Sequence, residues 1–163
     1  NSWLVDEGIK NEIGEAIIRR KECRFDHNDR FDSSVFGETF DFIVAQSIFS
    51  HTGRAQVEKC LAGFKSVLRP DGLILATFLP TAKPSEDHRG DDWVYPECVL
   101  YTDTSITGFA HGAGLDIVRI PWFHPRQVWY LMAHERSLLP SDEDIAKHLT
   151  GVVLRAPDIV LET

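Results

Sequence analysis

The residues of this sequence best suited to moving protons near neutral pH are its seven histidines. His51 follows a compact apolar run, and His88 and His124 fall in polar, aromatic loops. A histidine in such a place serves either as a general base or as a packing and hydrogen-bonding residue. The sequence leaves both roles open for each, and His27 is a weaker candidate. Trp93 and Tyr95 share a loop with His88 and would either close an apolar lid over a bound molecule or simply pack that loop. Glu86, Asp87 and His88, with Asp91 and Asp92, carry donors for a divalent cation, but short acidic loops are ordinarily solvated faces, so no metal site is expected. Cys23, Cys60 and Cys98 are odd in number and widely spaced, without a Cys-x-x-Cys pair. They suggest neither a zinc site nor a disulfide framework, and a reduced, cytoplasmic location is the expectation.

Charge narrows the partners. The 163 residues carry a formal net charge of -8, which argues against nucleic acid, whose phosphates need concentrated Lys and Arg. The densest basic cluster, Arg19-Arg20-Lys21 with Arg24, reads as the solvated end of a helix. No apolar run approaches the ~20 residues of a membrane span, and Asn1-Ser2-Trp3 opens without the pattern of a secretory leader. A small molecule is therefore the expected partner; oligomeric state cannot be read.

The elements that must position these side chains follow from periodicity. Residues 3–21 read as helical, with a break near Gly14, and Cys23 to Phe25 as a short strand. The polar stretch 26–39 reads as a loop. Phe40-Asp41-Phe42-Ile43-Val44-Ala45 is an apolar run of the kind buried on both faces of a parallel sheet. Residues 52–68 form an amphipathic helix with Val57, Leu61, Phe64 and Leu68 on one face. Arg69-Pro70-Asp71-Gly72 marks a tight turn, and Leu73 to Phe78 is a second buried strand. Strand, helix and strand at these lengths make a right-handed βαβ crossover with parallel strands. A polar and aromatic insert covers 80–96. A helix follows over 103–114, capped by Asp103 or Thr104, then strands over 115–122 and 127–133 spaced for an antiparallel hairpin. Residues 140–149 read as a short helix capped by Ser141. The expected organisation is a partial α/β domain over 1–135 and a tail or linker over 136–163. In such a sheet, ligands bind beyond the C-terminal ends of the strands, here the loops Gln46 to His51 and Leu79 to Thr81.

Two adjacent segments carry a resemblance. Phe40-Asp41-Phe42-Ile43-Val44-Ala45-Gln46-Ser47-Ile48-Phe49-Ser50-His51 resembles the fourth-strand motif of class I S-adenosylmethionine-dependent methyltransferases. Cys60 to Leu75, with Leu68-Arg69-Pro70-Asp71-Gly72 leading into an apolar strand, is similar to their fifth-strand motif. Gln127-Val128-Trp129-Tyr130-Leu131 fits their closing antiparallel strand. The resemblance spans roughly residues 1–134. It implies a Rossmann-like methyltransferase fold, a mostly parallel sheet ending in an antiparallel hairpin, with S-adenosylmethionine as cofactor.

The resemblance also implies roles. Asn28 and Asp29 would meet the adenine, with the Asp29 carboxylate accepting from its exocyclic amine and Asp26 as a nearby competitor. Ala45, Gln46 and Ser47 would line the methionine end, His51 would lie near the transferred methyl group, and His88, Trp93, Tyr95 and His124 would border the acceptor. An aspartate in such a loop also caps turns, and Ser47 also suits a strand-end turn. The family's first strand, its glycine-rich loop and the acidic end of its second strand would precede Asn1. Gly8, Gly14 and Gly37 have the wrong spacing for that loop. The expectation is that a segment has been left out of this sequence, because a true fragment would expose an unpaired strand flank. The implied activity is in-line methyl transfer to a small-molecule or glycan-like acceptor. The alternative is a non-catalytic module or subunit keeping part of the scaffold. A nicotinamide-dependent enzyme is disfavoured by the Leu-Arg-Pro-x-Gly turn and the final hairpin.

Overall fold

A computed structural model describes residues 2–149. Of the tail or linker expected over 136–163, residues 150–163 lie outside the described residues.

Four strands form one mixed sheet: β1 (Phe40–Ala45), β2 (Leu68–Phe78), β3 (Asp116–Ile120) and β4 (Val128–Ala133), in the order β1-β2-β4-β3. β1 and β2 are parallel, joined by helix α3 (Arg54–Val67), as the crossover predicts. β4 runs antiparallel to both β2 and β3, so the expected hairpin is present, with Ile117 opposite Met132 and Val118 opposite Leu131.

One face of the sheet carries the main core. α3 turns Val57, Cys60, Leu61 and Val67 inward at helical spacing. Helix α4 (Asp103–Gly112) adds Ile106, Phe109 and Ala110. These meet Ala45, Ile74, Ala76, Phe78, Tyr130 and Met132. Each fully buried large apolar side chain contributes ~1.5–3 kcal/mol. On the opposite face Ile120, Leu131 and Ala133 form a smaller cluster with Leu139, against which Ile145 packs, so the segment after β4 docks on the sheet.

Several local expectations change. Arg69 to Gly72 do not form a separate turn but belong to the start of β2, where the register slips between Phe40 and Phe42. Gly72 is required there: a Cβ would stand 2.9 Å from the Phe40 carbonyl oxygen and 3.0 Å from that of Asp41. Cys23 to Phe25 join no strand, and Arg24 instead pairs with Glu38 and the Phe36 carbonyl. The α4 cap is Thr102, whose hydroxyl accepts from Ser105 N–H, one residue before the expected pair. Residues 142–149 are a single α-turn, α5 (Asp142–Asp144), running into a π-turn, but the Ser141 capping box is present. The N-terminal helices α1 (Ser2–Gly8) and α2 (Glu15–Lys21) flank a π-turn and break at Gly14, with φ 77°. β1 departs most. Among the described residues it pairs only with β2, and Phe42 and Val44 are 65% and 61% exposed.

Candidate functional site

The C-terminal ends of β1 and β2 and the start of β4 meet in a polar cluster in which Ser50, Thr77 and Gln127 are buried and Ser47 is exposed. β1 ends in buried Ala45, and the chain then turns sharply at Ser47, whose φ is 58°. This left-handed conformation is uncommon for a residue with a side chain. It is held by Ser47 N–H donating to Thr77 Oγ1 at 2.8 Å, from a fully buried Thr77 on β2. Two residues on, Phe49 stacks on Phe78 at 4.8 Å, anchoring the loop to the core. Ser50, also buried, donates to the Ser47 carbonyl. From the other side, Gln127 Nε2 donates to Ser47 Oγ at 3.1 Å and to Ser50 Oγ at 3.4 Å. His124 Nδ1 accepts from the N–H groups of Arg126 and Gln127, which leaves the ring proton on Nε2, 3.5 Å from Ser47 Oγ. Burial and, secondarily, Arg126 hold His124 below the usual histidine pKa, which favours this neutral form.

The insert between β2 and α4 wraps this loop. Val94 N–H donates to His51 O, Val99 N–H to Ser50 O and Arg54 N–H to Gly90 O. The approach is so close at Gly53 that a Cβ would lie 2.3 Å from the Asp91 carbonyl carbon. His51 Nδ1 stands 2.8 Å from Glu97 O and 3.1 Å from Val94 O. Both are acceptors, so Nδ1 carries the proton and Nε2 keeps its lone pair, 4.0 Å from Cys98 Sγ. Trp93 and Tyr95 flank the ring at 5.9 and 5.6 Å and are 47% and 73% exposed.

Buried Asp87 anchors the insert. Its carboxylate accepts from Thr102 N at 2.8 Å, Ser105 Oγ at 2.9 Å and Thr102 Oγ1 at 3.2 Å, and pairs with Arg54 and Arg89. Burial raises its pKa, but these donors and Arg89 outweigh it and hold the carboxyl below its ordinary value. Its donors thus tie the insert to the first turn of α4. His88 turns edge-on to Tyr101 at 6.1 Å, with Nε2 buried and unpaired. The candidate residues therefore fall into separate groups: His51 with Trp93 and Tyr95, Ser47 with His124, and His88 with Tyr101.

Before β1, the loop of Asp26, Asn28, Asp29 and Asp32 lines a cavity of about 220 Å³. Asn28 organises it. Its Oδ1 accepts from the N–H groups of Arg30 and Asp32, and its Nδ2 donates to Asp26 Oδ1 and Asp32 O. Asp26 is thus already engaged, and Asn28 holds its carboxyl below the usual range. Asp32 caps the 3-10 turn Ser33–Phe36. Asp29 is exposed and makes no hydrogen bond or ion pair among the described residues.

This architecture has counterparts among solved structures. A crystal structure of Streptomyces venezuelae DesVI matches 76% of this chain and 72% of its own length, at 14% identity and a TM-score of 0.52. An S-adenosylmethionine-dependent methyltransferase from Clostridium acetobutylicum matches 73% of this chain and 68% of its own, at 11% identity and a TM-score of 0.52. The chain has the methyltransferase fold. An O-methyltransferase family protein from Burkholderia thailandensis matches 74% of it, at 12% identity and a TM-score of 0.52, over 39% of its own length. The chain spans less than two thirds of several structures it matches, 57% of one and 31% of another. No family model and no curated protein matches the sequence. Within the methyltransferase fold, the Ser47 cluster occupies the strand ends where α/β sheets take their ligands. Sequence reasoning missed Gln127, Thr77, Ser50 and Asp87. Gln127 carried only the signal of a polar residue opening a strand, and Asp87 was one acid among several.

Proposed function

We propose that this chain contributes part of an S-adenosylmethionine-dependent methyltransferase acting on a small-molecule or glycan-like acceptor. The observation that carries the reading is the free carboxylate of Asp29, at the rim of a cavity whose other acids, Asp26 and Asp32, are committed to local hydrogen bonds. An unengaged carboxylate in this loop suits the exocyclic amine of adenine. Asn28 shapes the loop that presents it, while Ala45, Gln46 and Ser47 would hold the methionine end. The cofactor supplies an electrophilic methyl group on a sulfonium, and the protein's part is alignment and exclusion of water.

His51 suits a proton-accepting role because its proton is fixed on Nδ1 by two carbonyls and Nε2 keeps its lone pair, with only the Cys98 thiol 4.0 Å away. Trp93 and Tyr95 beside it offer an apolar wall for the acceptor. In this reading His124 would border the acceptor as an Nε2–H donor, and His88, edge-on to Tyr101, would border it from the insert. A cytoplasmic location belongs to the same reading.

The test is incubation of the protein with S-adenosylmethionine labelled in its methyl group and a panel of small hydroxyl- and amine-bearing acceptors. Label in a product is expected, and its loss in Asp29→Ala. A specific observation favours a second reading, a scaffold module that binds another chain: the single pairing of β1 and the exposure of Phe42 and Val44 among the described residues. Absence of both cofactor binding and label transfer would favour that module.

A further inference from the structure

The hydroxyl of Ser47 has an unusual set of neighbours. A serine oxygen offers two lone pairs and one proton. Gln127 Nε2 donates to it at 3.1 Å. His124 lies 3.5 Å away, and its Nδ1 already accepts from two backbone N–H groups, so its Nε2 is a donor as well. Both lone pairs of Ser47 Oγ are therefore directed at protein donors, and its proton is left for something else. Ser47 is exposed, so a ligand at the strand ends can reach that proton.

The neighbours are fixed. Ser47 is held in its left-handed turn by Thr77. Gln127 is only 8% exposed, and its Oε1 is buried without a partner. Among the described residues, the amide's hydrogen bonds all go to the serine pair, Ser47 and Ser50.

We propose that His124 and Gln127 fix Ser47 as a one-way hydrogen-bond donor that recognises a lone-pair oxygen, carboxylate or carbonyl, of the molecule bound at this end of the sheet. His124 and Gln127 are positioning residues; Ser47 makes the contact. The inference rests on the methyltransferase reading for its location, and the oxygen belongs either to the amino-acid end of the cofactor or to the acceptor. Gln127→Glu reverses the pattern, because a carboxylate there accepts the Ser47 proton and removes the outward donor.

Two measurements test it. The first needs no ligand: ring nitrogen NMR shifts at neutral pH report the His124 tautomer. Protonated Nε2 with bare Nδ1 is expected; the opposite tautomer overturns the proposal. The second is calorimetric titration with S-adenosylhomocysteine and with 5′-methylthioadenosine, which lacks the amino-acid carboxylate. If the oxygen is the cofactor's, Ser47→Ala and Gln127→Glu each weaken S-adenosylhomocysteine by about 10- to 100-fold and leave 5′-methylthioadenosine unchanged. If it is the acceptor's, both nucleosides bind as before and the acceptor's KM rises by a similar factor. Parental behaviour of both variants toward both nucleosides and the acceptor refutes the donor role. Failure of the parent protein to bind either nucleoside would refute the methyltransferase reading instead, and the proposal, whose bound oxygen that reading supplies, would fall with it. The tautomer result then shows whether the donor geometry itself had been misread.

Discussion

Replacing Asp87 by alanine removes one acceptor from a place where three donors converge. Thr102 N–H, Thr102 Oγ1 and Ser105 Oγ all reach its carboxylate within 3.2 Å. The side chain is 2% exposed and Arg54 beside it 25%, so water replaces the lost acceptor poorly. A buried donor left unsatisfied costs ~1–3 kcal/mol, and a broken buried charge contact adds to it. Arg89 adds little, because its side chain is 72% exposed. The expected loss is about 3 kcal/mol, the top of that range because several donors are stranded together, or ~6–12 °C in Tm for a domain of this size. Asp87→Asn keeps one acceptor oxygen and should lose about half as much. Urea denaturation followed by circular dichroism measures both. The sign with pH is fixed by the depressed pKa: the carboxylate's contribution is present above its ordinary value of 3.8 and is lost as pH falls through the lower folded value. The gap between the parent and Asp87→Asn should therefore close in acid. An alanine variant within ~0.5 kcal/mol of the parent, or a gap that widens in acid, would refute the view that Asp87 clamps the insert.

Gly53→Ala should destabilise by ~1–3 kcal/mol in the same assay, because its Cβ would stand 2.5 Å from the carbonyl oxygens of both Asp91 and Asp92, and backbone cannot yield as a flexible side chain does; unchanged stability would mean the loop is not seated there. Of the cysteines, exposed Cys98 should react first with an aromatic disulfide reagent. Buried Cys60, its pKa pushed up to about 12 by burial, should react only on unfolding. Modification of Cys60 under native conditions would contradict the packing of α3.

The central part of the fold was legible because its signals are local. The apolar run of β1, the four- and three-residue spacing of Val57, Leu61 and Phe64, and the apolar start at Leu73 each specify an element within a few residues. Cys23 to Phe25 failed as a strand because strand formation needs a partner edge, which three residues do not encode. Asp87 was invisible for a related reason: Thr102 and Ser105 lie 15 and 18 residues further on, and nothing in the spacing of Glu86, Asp87, Asp91 and Asp92 says which acid folds inward. Sequence placed Asp29 ahead of Asp26 by counting back from β1; it did not reveal that Asn28 occupies the Asp26 carboxylate and leaves Asp29 alone. For β1 the sequence describes a strand covered on both faces, while the described residues cover one. Phe42 and Val44, expected to be buried, are found exposed.

The most direct test of the account is to titrate the protein with S-adenosylhomocysteine while following its backbone amide resonances. The shifted amides are expected to group at Asp26 to Asp32 and at Ala45 to Ser50, with Gln127 among them. Shifts confined to other parts of the chain, or none at millimolar ligand, would contradict it.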